Sequence, residues 1–240
     1  MSERHNFMNN VGNAYYDNSV DMLKNENTFC FRCTQCGECC KNRNDIILDT
    51  FDVCRIAEYM GMENIDFCEK YTELYYDEKI KLPLSRIKMR EDTGKCPFLS
   101  DDNKCSIHDI SPSVCRLYPL GRACFIENEE QSPAGYFLQD VPCGERDEIH
   151  TISSWIRQDA AQSTKEFLLW AHAQDVFSTI MQCAEIVYAE DQDKLTHAGN
   201  CVAALLYVNY KKGVPAYEQL KENTKEGELY SAMFRSALRQ

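Results

Sequence analysis

Positive charge is scarce in this chain: 26 Lys and Arg face 38 Asp and Glu, for a formal net charge of −12. Such a chain repels a phosphate backbone and needs a local basic patch to bind nucleic acid. Its best basic stretch, KIKLPLSRIKMR at residues 79–90, interleaves charge with apolar residues like an amphipathic segment. Nucleic acid is therefore not an expected partner. Long apolar runs are lacking too. The strongest, CVAALLYV at 201–208, falls far short of the ~20 residues that cross a bilayer. The N-terminal MSERHNFMNNVGNAYY carries no continuous apolar signal region. The expectation is a cytoplasmic, soluble protein that uses no membrane. There is also no GxGxxG, Walker-type loop or HExxH, so dinucleotide, nucleotide and zincin readings have no motif support. No Cys–His–Asn or Ser–His–Asp arrangement can be argued from spacing, and no catalytic residue is identified.

Cysteine, in contrast, is abundant, with 14 in 240 residues. Cytoplasmic thiols stay reduced, so these read as metal ligands plus buried thiols and not as a disulfide framework. Hydrophobic residues make up 44%, enough for a core that does not depend on metal merely because the chain is small.

Along the chain, residues 1–28 read as a polar arm with one short helix at VDMLKN. Residues 29–150 read as a cysteine-rich domain and 151–240 as a helical region. The stretch at 29–42 suggests irregular loop. DIILDTFDVCRIAEYMG predicts an extended lead-in and then a helix capped by Asp49 or Thr50 and closed at Gly61. A second helix is expected over 64–75, followed by LPLSRIKMRE as a strand pair or an extended segment ending at Thr93-Gly94. CPFLSDDNKCSIH reads as a hairpin turning at SDDN. SPSVCRLYP reads as one helical turn opened by Ser111-Pro112 and stopped before Pro119, and ENEE at 127–130 as a surface loop. After Cys143, helical periodicity takes over. One helix starts at the Ser153-Ser154 cap, another runs from Lys194 to Lys212 and ends at Gly213, and a third runs from about Pro215 with a candidate break at Gly227. Trp155, Phe167, Trp170 and Phe177 are expected in the core. The fold class expected is mainly α, with irregular cysteine-rich loops and short β-hairpins organised by metal, and a helical C-terminal half.

The densest cysteine run is Cys30-x2-Cys33-x2-Cys36-x2-Cys39-Cys40; Cys96, Cys105, Cys115, Cys124 and Cys143 follow. Two-residue spacing lets successive thiolates turn back onto one centre, which suits zinc ribbons and iron–sulfur clusters alike. Adjacent residues in extended backbone point to opposite sides, so the Cys39-Cys40 pair is expected to bridge two centres, as the fourth cysteine of a ferredoxin run serves the other cluster. Cys54, Cys68, Cys183 and Cys201 sit at apolar positions of predicted helices and read as core thiols. His150, His172 and His197 read as surface or packed helix residues, and Glu38 as solvent-facing. Arg116 reads as an ion-pair partner or a hydrogen-bond donor to a cluster.

FRCTQCGECC, CPFL, CSIH, CRLYP and PCG, in that order, resemble the YkgJ-like cysteine-cluster family, a zinc- or iron-chelating domain of CxxCxxCC type. The likeness covers roughly residues 29–160. It implies Cys33, Cys36, Cys39, Cys40, Cys96, Cys105, Cys115 and Cys143 as metal ligands. This chain departs from the pattern at Cys30, which adds one CxxC unit and a substitute ligand, at His108 in place of an aromatic packing residue, and at Ser111-Pro112. Flagellin lysine methylase is similar in its cysteine pattern, which makes a protein-methylating role one implied reading. The leading expectation is an iron–sulfur protein, with one or two [4Fe–4S] clusters, a redox or modification-supporting role, and a protein or redox partner. A zinc-stabilised interaction module is the alternative.

Overall fold

The structure, a computed structural model, describes the backbone of residues 5–9, 23–24, 26–127, 130–131, 135–156 and 164–237. It describes their side chains except at 5–9, 123–127, 130–131 and 237. Most of the helix expected at VDMLKN lies outside these residues; Leu23 itself forms an antiparallel bridge to Tyr136. The contacts divide the chain into two compact units, each discontinuous in sequence. One holds residues 1–48 and 86–164, the other 49–85 and 165–240.

The first unit contains β1 (His5–Asn9), β2 (Thr28–Arg32), β3 (Ile47–Leu48), a one-turn helix α3 (Ser113–Leu117), β6 (Leu120–Glu127), β7 (Glu130–Gln131), β8 (Gly135–Leu138), β9 (Glu145–Thr151) and α4 (Ile152–Ile156). β6 pairs antiparallel with β1, β7 and β8. In the expected ENEE surface loop, Glu127 and Glu130 pair as the ends of β6 and β7, and residues 128 and 129 lie outside the described residues. β2 pairs antiparallel with β9, with a register irregularity between Cys30 and Arg32. The expectation of irregular loop fails at β2. Its F-C-F alternation sends Phe29 and Phe31 inward and leaves Cys30 exposed, the period-2 pattern of a half-buried strand. β9, ERDEIHT, has almost no apolar content and is a strand because β2 supplies its hydrogen-bonding partner. Phe29, Phe31, Leu117, Leu120, Tyr136, Val141 and Ile152 form the core, with Tyr118 and Trp155 packed against it. Trp155 sits edge-on to Phe29 and Phe31 and donates from Nε1 to the Leu117 carbonyl at 3.0 Å. It therefore anchors the end of α3.

The second unit contains α1 (Thr50–Tyr59), α2 (Asn64–Tyr71), β4 (Thr72–Asp77), most of β5 (Leu82–Ile87) and of α5 (Thr164–Val187), α6 (Gln192–Ala203) and α7 (Ala216–Ala237). The helical reading of the C-terminal half holds. α1 begins at an Asp49 N-cap with a reciprocal capping box to Asp52. α2 stops earlier than expected: β-branched Thr72 and the aromatics Tyr75 and Tyr76 suit the β4–β5 hairpin. α6 continues as a π-helix over Ala204–Val208. Such a widened turn frees carbonyls that need other donors. Tyr210 and Asn223 serve the Leu205 carbonyl, Thr50 the Leu206 carbonyl and Asn64 the Tyr207 carbonyl. α7 runs through Gly227 without a break. An ideal Cβ there would lie 2.9 Å from Val176 Cγ1, so this glycine lets α7 approach α5 closely. Phe167, Trp170, Phe177, Leu206 and Tyr207 are fully buried in this unit. Among the described residues no helix is long and apolar enough to cross a membrane.

Asp49→Ala removes the α1 cap and lowers stability by about 1 kcal/mol, read as a lower urea midpoint, whereas Asp49→Asn keeps most of it. Equal midpoints for Asp49→Ala and the parent would contradict this role.

Candidate metal centre

The antiparallel register of β2 and β9 decides where the cysteines meet. Arg32, the last residue of β2, pairs with Glu145, the first of β9. The chain that leaves β2 into Cys33 and Cys36 therefore starts beside the chain that arrives from Cys143. Arg32 fastens this end through ion pairs to Asp147 at 2.9 Å and to Glu145. Both partners are solvent-exposed, so the pairing fixes geometry more than it adds stability. Gly144 makes the close approach possible. Its φ is +77°, and an ideal Cβ would lie 2.3 Å from Phe31 Cε2 and 3.0 Å from the Arg32 carbonyl oxygen. Only glycine suits both demands.

Gly37 turns the other segment. With φ +74° it caps a 3-10 turn over Glu38–Cys40. This overturns the premise that Cys39 and Cys40 lie in extended backbone. Within the turn their sulfurs are on the same side, 3.9 Å apart, so the pair does not diverge toward two centres. The Cys40 carbonyl accepts from the Cys96 N–H at 2.8 Å, and Lys41 bridges to Lys95. These bonds bring the expected CPFLSDDNKC hairpin, closed by a Leu99–Cys105 bridge, against the turn.

Every described cysteine is a free thiol. Cys36, Cys39, Cys40 and Cys143 form one interacting group. The Glu38 backbone N–H, the largest influence on it, pulls the Cys36 thiol below its ordinary value, helped by Thr34 and by Cys143. Burial pushes Cys143 up, and its bond to Cys36 pushes the same way while Tyr118 opposes it. In this pair Cys36 is the sulfur that ionises first and Cys143 the one that keeps its proton. The hydrogen bond to Cys40, then burial, holds Cys39 strongly protonated. Cys105 is raised by burial and feels Cys39; Cys96 is buried, pushed up to about 11 by desolvation, and feels Cys105.

The remaining expected ligands stand differently. Cys115, on α3, is half-buried and within electrostatic range of Arg43. Cys33 is exposed and accepts a hydrogen bond from the Gln35 N–H at 3.4 Å. Cys30 is exposed on the outward side of β2. The Cys124 side chain lies outside the described residues. Of the thiols expected in the core, Cys183 is buried, Cys54 and Cys68 are half-buried, and Cys201 is exposed. Cys201 instead faces His197 Nε2 at 3.6 Å on α6. His108 is also exposed, and neighbouring Ile107 takes the buried position. His150 lies in β9, not on a helix, with its ring nitrogen 2.9 Å from the Phe31 carbonyl oxygen.

Two groups escaped the sequence reading. Tyr118 places its hydroxyl 3.2 Å from Cys143 Sγ, and burial followed by Cys143 keeps that hydroxyl protonated well above its ordinary range. The signal was present in CRLYP, where an aromatic with a polar tip follows a cysteine. Lys41 and Arg43 are the second case. Lys41 pairs with Glu38 at 2.7 Å and acts on Cys36 and Cys40. Arg43, held by Asp45 at 2.5 Å, acts on Tyr118, Cys115 and Cys39. Cations this close favour thiolate over thiol.

Do these residues fit a metal? The donors are uniformly sulfur, reduced, and flanked by cations, which suits zinc and iron–sulfur centres. A tetrahedral zinc with Zn–S of about 2.3 Å separates its ligands by about 3.8 Å, close to the Cys39–Cys40 distance of 3.9 Å. Among the described residues no three Cys, His, Asp or Glu side chains are arranged as a closed cage. Cys39 lies beside Cys40, and Cys36 beside Cys143.

Residues 32–134 match the model of the CxxCxxCC family, described as "Putative zinc- or iron-chelating domain". The match covers the cysteine run and the hairpin that follows it, and supports metal binding on this stretch. It ends before Cys143, which the fold brings to Cys36. No curated protein and no solved structure matches the chain.

In metal-free protein, iodoacetamide modifies Cys36 at lower pH than Cys54 and Cys68, both pushed up to about 11 by burial, because the thiolate is the reactive form. Mass spectrometry of peptides alkylated across a pH series reads the order, and equal profiles would refute it. Gly144→Ala forces a left-handed alanine, a cost of about 1–2 kcal/mol, and collides with Phe31. It lowers both the melting temperature and metal affinity in titration. An unchanged affinity would show that the Gly144 approach does not position Cys143.

Proposed function

We propose that this chain is a metal-binding protein whose cysteine unit holds a [4Fe–4S] cluster and serves a redox or modification-supporting role in a reducing cytoplasmic compartment, together with a protein or redox partner. The observation that carries this reading is the convergence of Cys36, Cys39, Cys40 and Cys143, drawn from two segments far apart in sequence. An all-sulfur group set in loops, with Gly37 and Gly144 shaping the backbone, is the chemistry such a cluster requires. Cys33, Cys96, Cys105 and Cys115, the further ligands we assign, are four thiols beyond what one [4Fe–4S] cluster takes and would hold a second centre. When bound, the cluster supplies one-electron chemistry. The protein's share is to lower the cost of ionising the thiols, through the Glu38 N–H and the Lys41 and Arg43 cations.

A second reading, one structural zinc, rests on the Cys39–Cys40 separation of 3.9 Å, which fits two ligands of a single tetrahedral ion. In that case the ion couples metal binding to folding of the unit.

Anaerobically purified protein, assayed for metal and acid-labile sulfide, separates the two. The cluster reading predicts brown protein containing iron and sulfide, with an electron paramagnetic resonance signal on reduction. Colourless protein with stoichiometric zinc and no sulfide would replace it with the zinc reading.

A further inference from the structure

We propose that Tyr118 is the positioning residue of the metal centre, donating a hydrogen bond from its hydroxyl to the Cys143 sulfur and thereby setting how strongly that sulfur donates to the metal. This inference rests on the metal-binding reading above and concerns a residue outside the ligand set. The hydroxyl lies 3.2 Å from Cys143 Sγ. A thiol and a hydroxyl can each donate to the other, but a metal-bound thiolate has no proton to give. Once Cys143 is a ligand, the bond has one possible direction, from tyrosine to sulfur.

The donor is also held in place. The Tyr118 ring packs on the core of its unit and meets Phe31 edge-on, with centroids 5.9 Å apart and planes at 76°. Trp155 fixes the preceding residue by bonding the Leu117 carbonyl at 3.0 Å. Phe31 in turn lies under Gly144, next to Cys143. One aromatic cluster thus positions donor and acceptor together. Arg43 is paired with Asp45 at 2.5 Å and acts on the site through its charge.

A hydrogen bond withdraws electron density from a ligand sulfur, and such outer-sphere bonds tune both affinity and electronic properties. Cobalt(II), added to the full chain after metal removal, reports this directly, because its thiolate-to-metal charge-transfer band follows the donor strength of sulfur. Tyr118→Phe keeps the ring and removes only the hydroxyl. The band moves to lower energy and affinity falls about tenfold. Site-specific 3-fluorotyrosine at position 118, a stronger donor with the same ring, moves the band the opposite way and keeps the assay decisive if Tyr118→Phe folds poorly. In a Cys143→Ala background, Tyr118→Phe causes no further shift. A parent band insensitive to both changes overturns the role of Tyr118 while leaving the metal reading intact. A parent with no thiolate–cobalt band overturns both.

Discussion

Antiparallel pairing of β2 with β9 is the constraint on which the cysteine unit depends. It joins segments separated by most of the unit's sequence and ends with Arg32 opposite Glu145. Everything at that end follows from it: Cys143 meets Cys36, Gly144 settles over Phe31, and Tyr118 reaches Cys143. The loop-closure entropy of such a long-range pairing is substantial. The buried phenylalanines of β2, with Leu117, Leu120 and Tyr136, supply the apolar burial that offsets it. The aromatic cluster that stabilises the unit also packs on Tyr118 and under Gly144, which couples packing to the placement of sulfur.

The charge around the site works in the same direction. The chain is strongly acidic, and gathering thiolates adds to that burden. Lys41 and Arg43, immediately after the cysteine pair, place two cations where the ionised sulfurs need them. The backbone contributes as well, since the 3-10 turn opened by Gly37 presents the Glu38 N–H to Cys36. Ionisation is distributed unevenly, with Cys36 favoured and Cys39 and Cys143 holding protons. Metal binding to this arrangement releases protons, so its affinity rises with pH through the range in which those thiols ionise.

Much of the helical architecture was legible from periodicity and caps, because those signals are local. The Asp49 cap, the single turn of α3 ahead of Pro119, and the long helices after Cys143 all rest on neighbouring residues. β2 was hidden because Cys30 drew attention as a ligand while acting as the outward residue of an F-C-F alternation. β9 was hidden because its strand character comes from its partner and not from its composition. The cysteine cluster that the family model matches was legible from cysteine spacing and the family likeness. The direction of the Cys39-Cys40 pair was not, since it depends on the left-handed conformation of Gly37, which turns neighbours that would diverge in a strand onto one side. Tyr118 and Cys143 meet only through the tertiary fold.

The claim beneath this account is that sulfur from Cys36, Cys39, Cys40 and Cys143 surrounds one metal centre. X-ray absorption at the metal edge of anaerobically purified protein tests it most directly. The account predicts a first coordination shell made of sulfur alone, with sulfur lost from that shell in Cys36→Ser. A shell containing nitrogen or oxygen in the parent, or one untouched by that substitution, would contradict it.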